Sequence, residues 1–261
     1  ALGLSIRLSR EHLTRGRRSL MVNLFDMHCH ILPGVDDGSR DMDTTRKMLA
    51  RAYEQGIRNM VATPHFMMGE DNTPVPELVK IFLKVRQEAK AIAPDFNIFL
   101  GNELLYDSGL LEQVKKGNAL TINGTRYVLI EFLVETEYEN ICTAVREFTT
   151  AGYIPIIAHV ERYMKLTKHM GYIGELIDMG ALIQVNISSL EGGITDQVTG
   201  FCRKLLKADM IHVFGTDAHG VNVRPPIVSG GLKYIEKKYG EGKVEELFNR
   251  NPKRILNDKL I

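Results

Sequence analysis

Seven short apolar runs in this chain are each followed by residues that could do chemistry. His28 and His30 follow the first run, and Thr63-Pro64-His65 the second. Gly101-Asn102-Glu103 follows the third, and Glu131 ends the fourth. His159 ends the fifth, with Glu161 and Arg162 behind it. Asn186 ends the sixth, and Thr216-Asp217-Ala218-His219 follows the seventh. Five of the chain's eight histidines fall at these places. A lone buried histidine is most simply a core residue; five of them, set beside several carboxylates, call for another cause. Carboxylates packed side by side repel and raise each other's pKa. Divalent cations relieve that repulsion and take neutral imidazole and carboxylate as ligands. His28 and His30 are two apart, so on a strand they point to one side and can clasp one ion. Asp217 and His219 repeat the spacing. Asp36 and Asp37 lie in a glycine-containing loop, Pro33-Gly34-Val35-Asp36-Asp37-Gly38, that can reach the same rim. Counting one of that pair, nine candidates exceed one tetrahedral site or even two. A cluster of two or three cations is therefore expected.

Arg162 and Arg224 stand near His159 and His219 in the same loops. Guanidinium forks match phosphate oxygens bidentately. The alternative is that each pairs with a nearby acid such as Glu161 or Asp217. Other chemistries lack their signatures. The chain has no G-x-x-x-x-G-K, G-x-G-x-x-G or H-E-x-x-H motif, and no G-x-S-x-G. None of Cys29, Cys142 and Cys202 begins a C-x5-R loop, which disfavours a cysteine phosphatase. All three cysteines are assigned to packing, with Cys29 facing away from the histidines that flank it.

These residues must be carried by regular elements. The apolar runs are Asn23–Met27, Arg58–Ala62, Asn97–Leu100, Tyr127–Ile130, Ile154–Ala158, Leu182–Val185 and Met210–Phe214. They are short and rich in Val, Ile and Phe, as buried parallel strands are. Amphipathic segments alternate with them: Asp43–Gln55, Val75–Ile92, Tyr138–Ala151, Tyr163–Met179 and Asp196–Lys207. Asp41 or Asp43 can cap the first, and Gly56, Gly152 and Gly180 read as helix stops. Lys233–Tyr239, Lys243–Arg250 and Pro252–Asn257 read as terminal helices. Successive strand ends lie roughly 30 residues apart, the length of a βα unit. Seven such units predict an α/β fold closed or nearly closed into a barrel, whose catalytic rim is the C-terminal end of the strands. A doubly wound open sheet is the competing architecture.

Composition bounds the rest. The 261 residues are 44% hydrophobic and 25% charged, an ordinary globular mix. No apolar run approaches the roughly 18 residues of a transmembrane helix. Three cysteines are an odd, sparse set that fits a reducing cytosol. Residues 1–20 hold five arginines and one acid, a charge of +4, while the remainder has 28 basic and 31 acidic residues, or −3. The first 20 residues are read as a basic, mobile N-terminal extension, and 21–261 as a single domain. The acidic balance of that domain gives no reason to expect nucleic acid.

Taken in order, Asp26-Met27-His28-Cys29-His30, Pro33-Gly34-Val35-Asp36-Asp37-Gly38, Ala62-Thr63-Pro64-His65, Gly101-Asn102-Glu103, Ala158-His159-Val160-Glu161-Arg162 and Gly215-Thr216-Asp217-Ala218-His219 resemble the polymerase-and-histidinol-phosphatase (PHP) superfamily. Within it they are most similar to the bacterial manganese-dependent protein-tyrosine phosphatases of capsule and exopolysaccharide operons. The resemblance spans about residues 22–258. His-x-His alone is a weak signal; the ordered set ending in Thr-Asp-x-His is a strong one.

The resemblance implies a distorted (β/α)7 TIM-like barrel of the PHP type carrying three ions. These would be Mn²⁺, with Fe²⁺ or Zn²⁺ as alternatives. The first would take His28, His30, Glu103 and Asp217. The second would take Glu103 as a bridge, with Glu131 and His159, and the third Asp37, His65 and His219. Arg162 and Arg224 match the family's phosphate-holding arginines. The implied activity is metal-dependent hydrolysis of protein phosphotyrosine in the cytoplasm. The implied partner is the autophosphorylating tyrosine kinase of a polysaccharide export system. Alternatives are a PHP phosphatase of a small metabolite resembling histidinol phosphate, a metal-dependent nuclease, and a non-catalytic module. Phe66, Met67 and Met68, just after His65, are either an aromatic slot for substrate or a packed loop.

Overall fold

The computed structural model describes residues 23–193 and 195–261. The expectation for residues 1–20 therefore lies outside the described residues. Nine strand segments occur among those described: β1 Leu24–Cys29, β2 Ile57–Ala62, β3 His65–Phe66, β4 Asn97–Leu100, β5 Glu103–Leu105, β6 Tyr127–Glu131, β7 Ile154–Ile157, β8 Leu182–Asn186 and β9 Val213–Gly215. All pairings are parallel, in the orders β1-β2-β4 and β3-β5-β6-β7-β8-β9. The two sheets are continuous through the chain. Only Thr63-Pro64 separates β2 from β3, and Gly101-Asn102 separates β4 from β5. Pro64 has no N–H to give a ladder; its carbonyl accepts from the Glu103 N–H at 3.1 Å and from Asn102 Nδ2 at 2.8 Å. At the far edges the Asp217 N–H donates to the His28 carbonyl and the His30 N–H to the Ala218 carbonyl, each at 2.8 Å. The sheet is thus curled until its first and last strands touch.

Helices cover the outside: α1 Met42–Glu54, α2 Val75–Ile92, α3 Leu110–Lys116, α4 Tyr138–Thr150, α5 Met164–Lys168, α6 Met170–Asp178, α7 Gln197–Lys207 and α8 Ser229–Tyr239, then α9 Glu241–Glu245 and α10 Asn251–Leu256, joined by a π-helical turn at Glu246–Arg250. Asp41 caps α1 through Thr44 N–H at 2.7 Å, and Gly152 and Gly180 take positive φ after α4 and α6. The long helix expected over Tyr163–Met179 is broken. His169 leaves the helical region (φ −134°, ψ 81°) between α5 and α6.

Two apolar layers fill the structure. The larger lies between strands and helices. The smaller holds Phe25 and Met27 of β1, Tyr127 and Leu129 of β6, Ile156 of β7, Leu182 of β8 and Val213 of β9. Side chains alternate along a strand, so those rows continue upward into Glu131 on β6, Gln184 and Asn186 on β8, and Gly215 and Asp217 after Val213. The polar residues at the strand ends therefore stand on the inner layer. On β1 the row is shifted by a bulge. Asp26 pairs with Met60 and Cys29 with Ala62, so β1 carries one extra residue. A bulge re-aims the side chains beside it. Cys29 accordingly packs outward, its Sγ donating to the Val61 carbonyl at 3.2 Å, while His28 and His30 meet over the inner layer.

Candidate metal centre

Glu103 is the hub. It opens β5, is 1% exposed, and its Oε2 lies 3.1 Å from His28 Nε2, 3.2 Å from His30 Nε2 and 3.1 Å from His65 Nδ1. Its Oε1 lies 2.8 Å from His159 Nε2. Yet Glu103 Oε2 and His65 Nδ1 are buried without an aligned hydrogen-bond partner, as is His219 Nε2. Buried polar atoms nearly always find partners. Imidazole nitrogens and a carboxylate oxygen that crowd together without hydrogen-bond alignment are what a cation's ligands look like. The donor set, imidazole with carboxylate, fits first-row divalent ions.

Three groups of donor atoms each fit within a coordination sphere: His30, Asp37, His65 and His219; His28, His30 and Glu103; and His65, Glu103 and Glu131. Asp217 Oδ1 stands 3.7 and 3.6 Å from the Nε2 atoms of His28 and His30. His159 Nε2 is 3.4 Å from Glu131 Oε1. Asp37 Oδ1 is 3.4 Å from His65 Nε2 and 3.3 Å from His219 Nε2. All nine metal-ligand candidates from the sequence are thus brought together at one end of the curled sheet. The grouping differs from the expected partition at two histidines: His65 also faces Glu103 and Glu131, and His30 falls within reach of Asp37, His65 and His219 as well as of His28 and Glu103.

The structure separates Asp36 from Asp37. Asp36 is turned inward: its Oδ2 takes His30 Nδ1 at 2.7 Å and the His65 N–H at 3.1 Å, and its Oδ1 takes the Gly38 N–H at 2.9 Å. Asp37 stays exposed and faces His65 and His219. Asp36 therefore orients a ligand candidate, as second-layer carboxylates do for metal-bound histidine. Gln184 does the same and was not singled out from the sequence. Its Oε1 accepts from the His159 N–H at 2.8 Å and lies 3.2 Å from His28 Nδ1. Its Nε2 donates to Asn186 Oδ1 at 3.0 Å, and Asn186 Nδ2 donates to Asp217 Oδ2 at 3.0 Å. The signal was present in β8: Gln184 and Asn186 are two apart in an otherwise apolar strand.

Asp26 is a third such residue. Its carboxylate accepts from the Thr216 N–H at 2.8 Å and from the Thr216 hydroxyl, fastening β1 to the segment that carries Asp217. Burial raises its pKa to about 6 against those bonds.

Both arginines meet an acid. Arg162 Nη2 donates to Asp217 Oδ2 at 2.6 Å, and Arg224 Nη1 to the same oxygen at 3.2 Å. The acid-pairing alternative is what this structure contains, with Asp217 and not Glu161 as the acid. Phe66 belongs to the large core, so for that residue the packed-loop reading holds.

Charge is unevenly shared. Burial would lower the His30 pKa, but Asp36 and Glu103 outweigh it and push it up to about 10. Burial is likewise overcome at His159, which rises to about 9 beside Glu103 and Glu131. Burial opposes ionisation of Asp217, yet His28 and Arg162 hold it at about 2. His219 falls to about 4 through burial and the charge of His30. Backbone geometry is also unusual here. His159, Asp217 and Arg224 all have positive φ (29°, 52° and 46°). Non-glycine residues in that region cost about 1–3 kcal/mol each and cluster at working sites.

A family model described as capsular polysaccharide synthesis, CpsB/CapC, matches residues 24–257. The tyrosine-protein phosphatase CpsB of Streptococcus pneumoniae is 37% identical over 243 residues, covering 91% of this chain and all of that protein. The tyrosine-protein phosphatase YwqE of Bacillus subtilis is 30% identical over 239 residues, covering 91% of this chain and 93% of its own. A crystal structure from work on YwqE and CpsB, described as metal-dependent tyrosine phosphatases, superposes with a TM-score of 0.84 at 28% identity, covering 91% of this chain and 96% of that one. From residue 24 to residue 257 the chain carries the pattern of one family, and it belongs to the CpsB/CapC family of capsular polysaccharide synthesis.

Proposed function

We propose that this chain is a metal-dependent phosphatase of phosphotyrosine on proteins. The observation that carries the reading is the crowding of three histidines on the unpartnered Glu103 Oε2. The relatives named as tyrosine-protein phosphatases support the substrate. We assign His28, His30, Glu103 and Asp217 to one ion, Glu103, Glu131 and His159 to a second, and Asp37, His65 and His219 to a third. Mn²⁺ is the preferred ion, with Fe²⁺ or Zn²⁺ as substitutes. When bound, such cations lower the pKa of coordinated water and polarise phosphoryl oxygens.

The chain's own residues supply the rest. Asp36 and Gln184 hold His30 and His28 at their Nδ1 atoms and leave the Nε2 atoms facing the cluster. Arg162 and Arg224, each with a side chain 36% exposed, present guanidinium N–H groups beside it. There they can hold phosphoryl oxygens as charge develops. No cysteine is placed to attack. Cys29, Cys142 and Cys202 are buried, and burial pushes the Cys29 and Cys202 thiols up, away from the reactive thiolate. Counting β2 with β3 and β4 with β5 as single interrupted strands makes the fold a seven-stranded PHP-type barrel, with 21–261 as its one domain. The protein partner in this reading is the autophosphorylating tyrosine kinase of polysaccharide export, met in the cytoplasm. Among the described residues no helix is long and apolar enough to cross a membrane.

The test uses a phosphotyrosine peptide. EDTA should abolish turnover and Mn²⁺ restore it, while changing all three cysteines to serine or alanine should leave turnover largely intact. Turnover that survives chelation and is lost on cysteine alkylation would refute the reading.

A further inference from the structure

Ten large hydrophobic residues are exposed among those described, and half of them stand around the candidate site. Leu133 and Val134 follow β6, Met164 opens α5 after β7, Val198 is the second residue of α7 after β8, and Val223 precedes Arg224 after β9. Strands β6, β7, β8 and β9 are consecutive neighbours in the sheet, so the five residues form one arc. The arc meets the site at two places, its middle and its β9 end. Arg162, Met164 and Val198 line one hollow of about 350 Å³. Asp37, His219, Val223 and Arg224 line another of about 470 Å³. The Met164 N–H donates to the Val134 carbonyl at 3.1 Å, joining the β6 and β7 loops. Leaving aside the last two residues of the chain, Val223 (76%), Leu133 (69%) and Val134 (50%) are the most exposed of the ten.

Single exposed apolar residues are ordinary, but five of them gathered on the loops after four neighbouring strands, beside a polar site, mark a contact surface. What covers it follows from what the site takes. A phosphorylated tyrosine with its phosphate at the cluster lifts the peptide main chain above the strand ends by the length of the ring. Two or three residues on either side then run roughly 13–20 Å across the loops, at about 3.3 Å per residue. A small phosphorylated metabolite ends at the cluster and covers none of the arc. We propose that Leu133, Val134, Met164, Val198 and Val223 form the docking rim for the phosphotyrosine polypeptide, taking apolar side chains that flank the phosphorylated residue. This rests on the phosphatase reading above and adds the residues that select protein over metabolite.

The experiment compares two substrates on the Mn²⁺-loaded protein. One is p-nitrophenyl phosphate; the other is a phosphotyrosine peptide with leucines on both sides of the tyrosine. The double variant Leu133→Ser/Val134→Ser should keep wild-type kcat/KM for the small ester. It should lose roughly tenfold for the peptide, mostly in KM, as partial exposure of two aliphatic side chains implies. Val223→Ser tests the other end of the arc independently. Replacing the peptide's leucines by serine should reproduce the loss on the wild type and add nothing to the double variant. Equal losses on both substrates, or an unchanged peptide KM, would overturn the docking rim. If the wild type hydrolyses neither substrate, the phosphatase reading fails. Fluorescence polarisation of the labelled peptide on the same variants then decides the surface by itself, unchanged affinity counting against it.

Discussion

Asp217 serves two sets of partners with its two oxygens. Oδ1 faces His28 and His30, while Oδ2 takes hydrogen bonds from Arg162, Arg224 and Asn186. The arginines are thereby held beside the cluster without belonging to it. A charge-assisted bond to phosphate is worth about 1.5–3 kcal/mol, and about 1.4 kcal/mol is tenfold in rate. Arg162→Ala or Arg224→Ala should lower kcat/KM by roughly ten- to a hundredfold with metal content unchanged. Lysine should recover only part, since it keeps the charge and loses the fork. If both variants turn over a phosphotyrosine peptide like wild type, the arginines serve Asp217 alone. Gln184 should show the opposite pattern. Gln184→Leu takes away the acceptor for the His159 N–H and the partner of His28 Nδ1, so metal affinity should fall by about ten- to a hundredfold. Calorimetric titration with Mn²⁺ reads this directly, and an unchanged affinity would remove Gln184 from the site.

At the scale of elements, glycine marks where backbone and site are pressed together. A Cβ on Gly215 would lie 2.5 Å from the His28 Cβ and 3.1 Å from the His28 nitrogen, across the junction of β9 with β1. Neither atom is a flexible tip, so Gly215→Ala should cost about 1–3 kcal/mol and loosen the metal held by His28. Thermal unfolding of the metal-free protein and metal content of the loaded one test the two parts separately. The sequence made most of these elements legible. Val75–Ile92 and Asn97–Leu100 are found with the expected bounds, because a long amphipathic period and a compact apolar run both carry strong signals. The two-residue β3 and three-residue β5 are too short for any periodicity to show. The bulge in β1 is invisible to alternation, since it is alternation that it breaks. The interruption at His169 leaves no proline behind, so a continuous helix was the natural reading of Tyr163–Met179. The site was more legible than its supports. Histidine and carboxylate at strand ends stand out by type, whereas Asp26, Asp36 and Gln184 act through hydrogen bonds that depend on which strand ends become neighbours.

Across the whole molecule, the buried histidines tie stability to pH in two opposite ways. His30 and His159 have pKa values raised from 6.5 to about 10 and about 9 by the carboxylates around them. Their contribution is fully present below pH 6.5 and is lost as pH rises through 9 to 10. His219 is depressed from 6.5 to about 4. Its contribution is present above pH 6.5 and is lost as pH falls through 4. The two windows meet near pH 6.5, where the metal-free protein should be most stable. Divalent cations change the alkaline side. A ligand histidine must be unprotonated, so binding displaces the protons of His30 and His159, and affinity rises as those protons leave. Ions that bind only the folded chain add stability by mass action. With saturating Mn²⁺ the fall in Tm between pH 6.5 and 9 should therefore flatten, and the stabilisation by Mn²⁺ should be larger at pH 9 than at pH 6.5. Proton release on Mn²⁺ binding, read by calorimetry in buffers of different ionisation enthalpy, should accompany it at pH 7.5. Parallel Tm profiles with EDTA and with Mn²⁺, and no proton release, would mean that His30 and His159 are not where the cations bind.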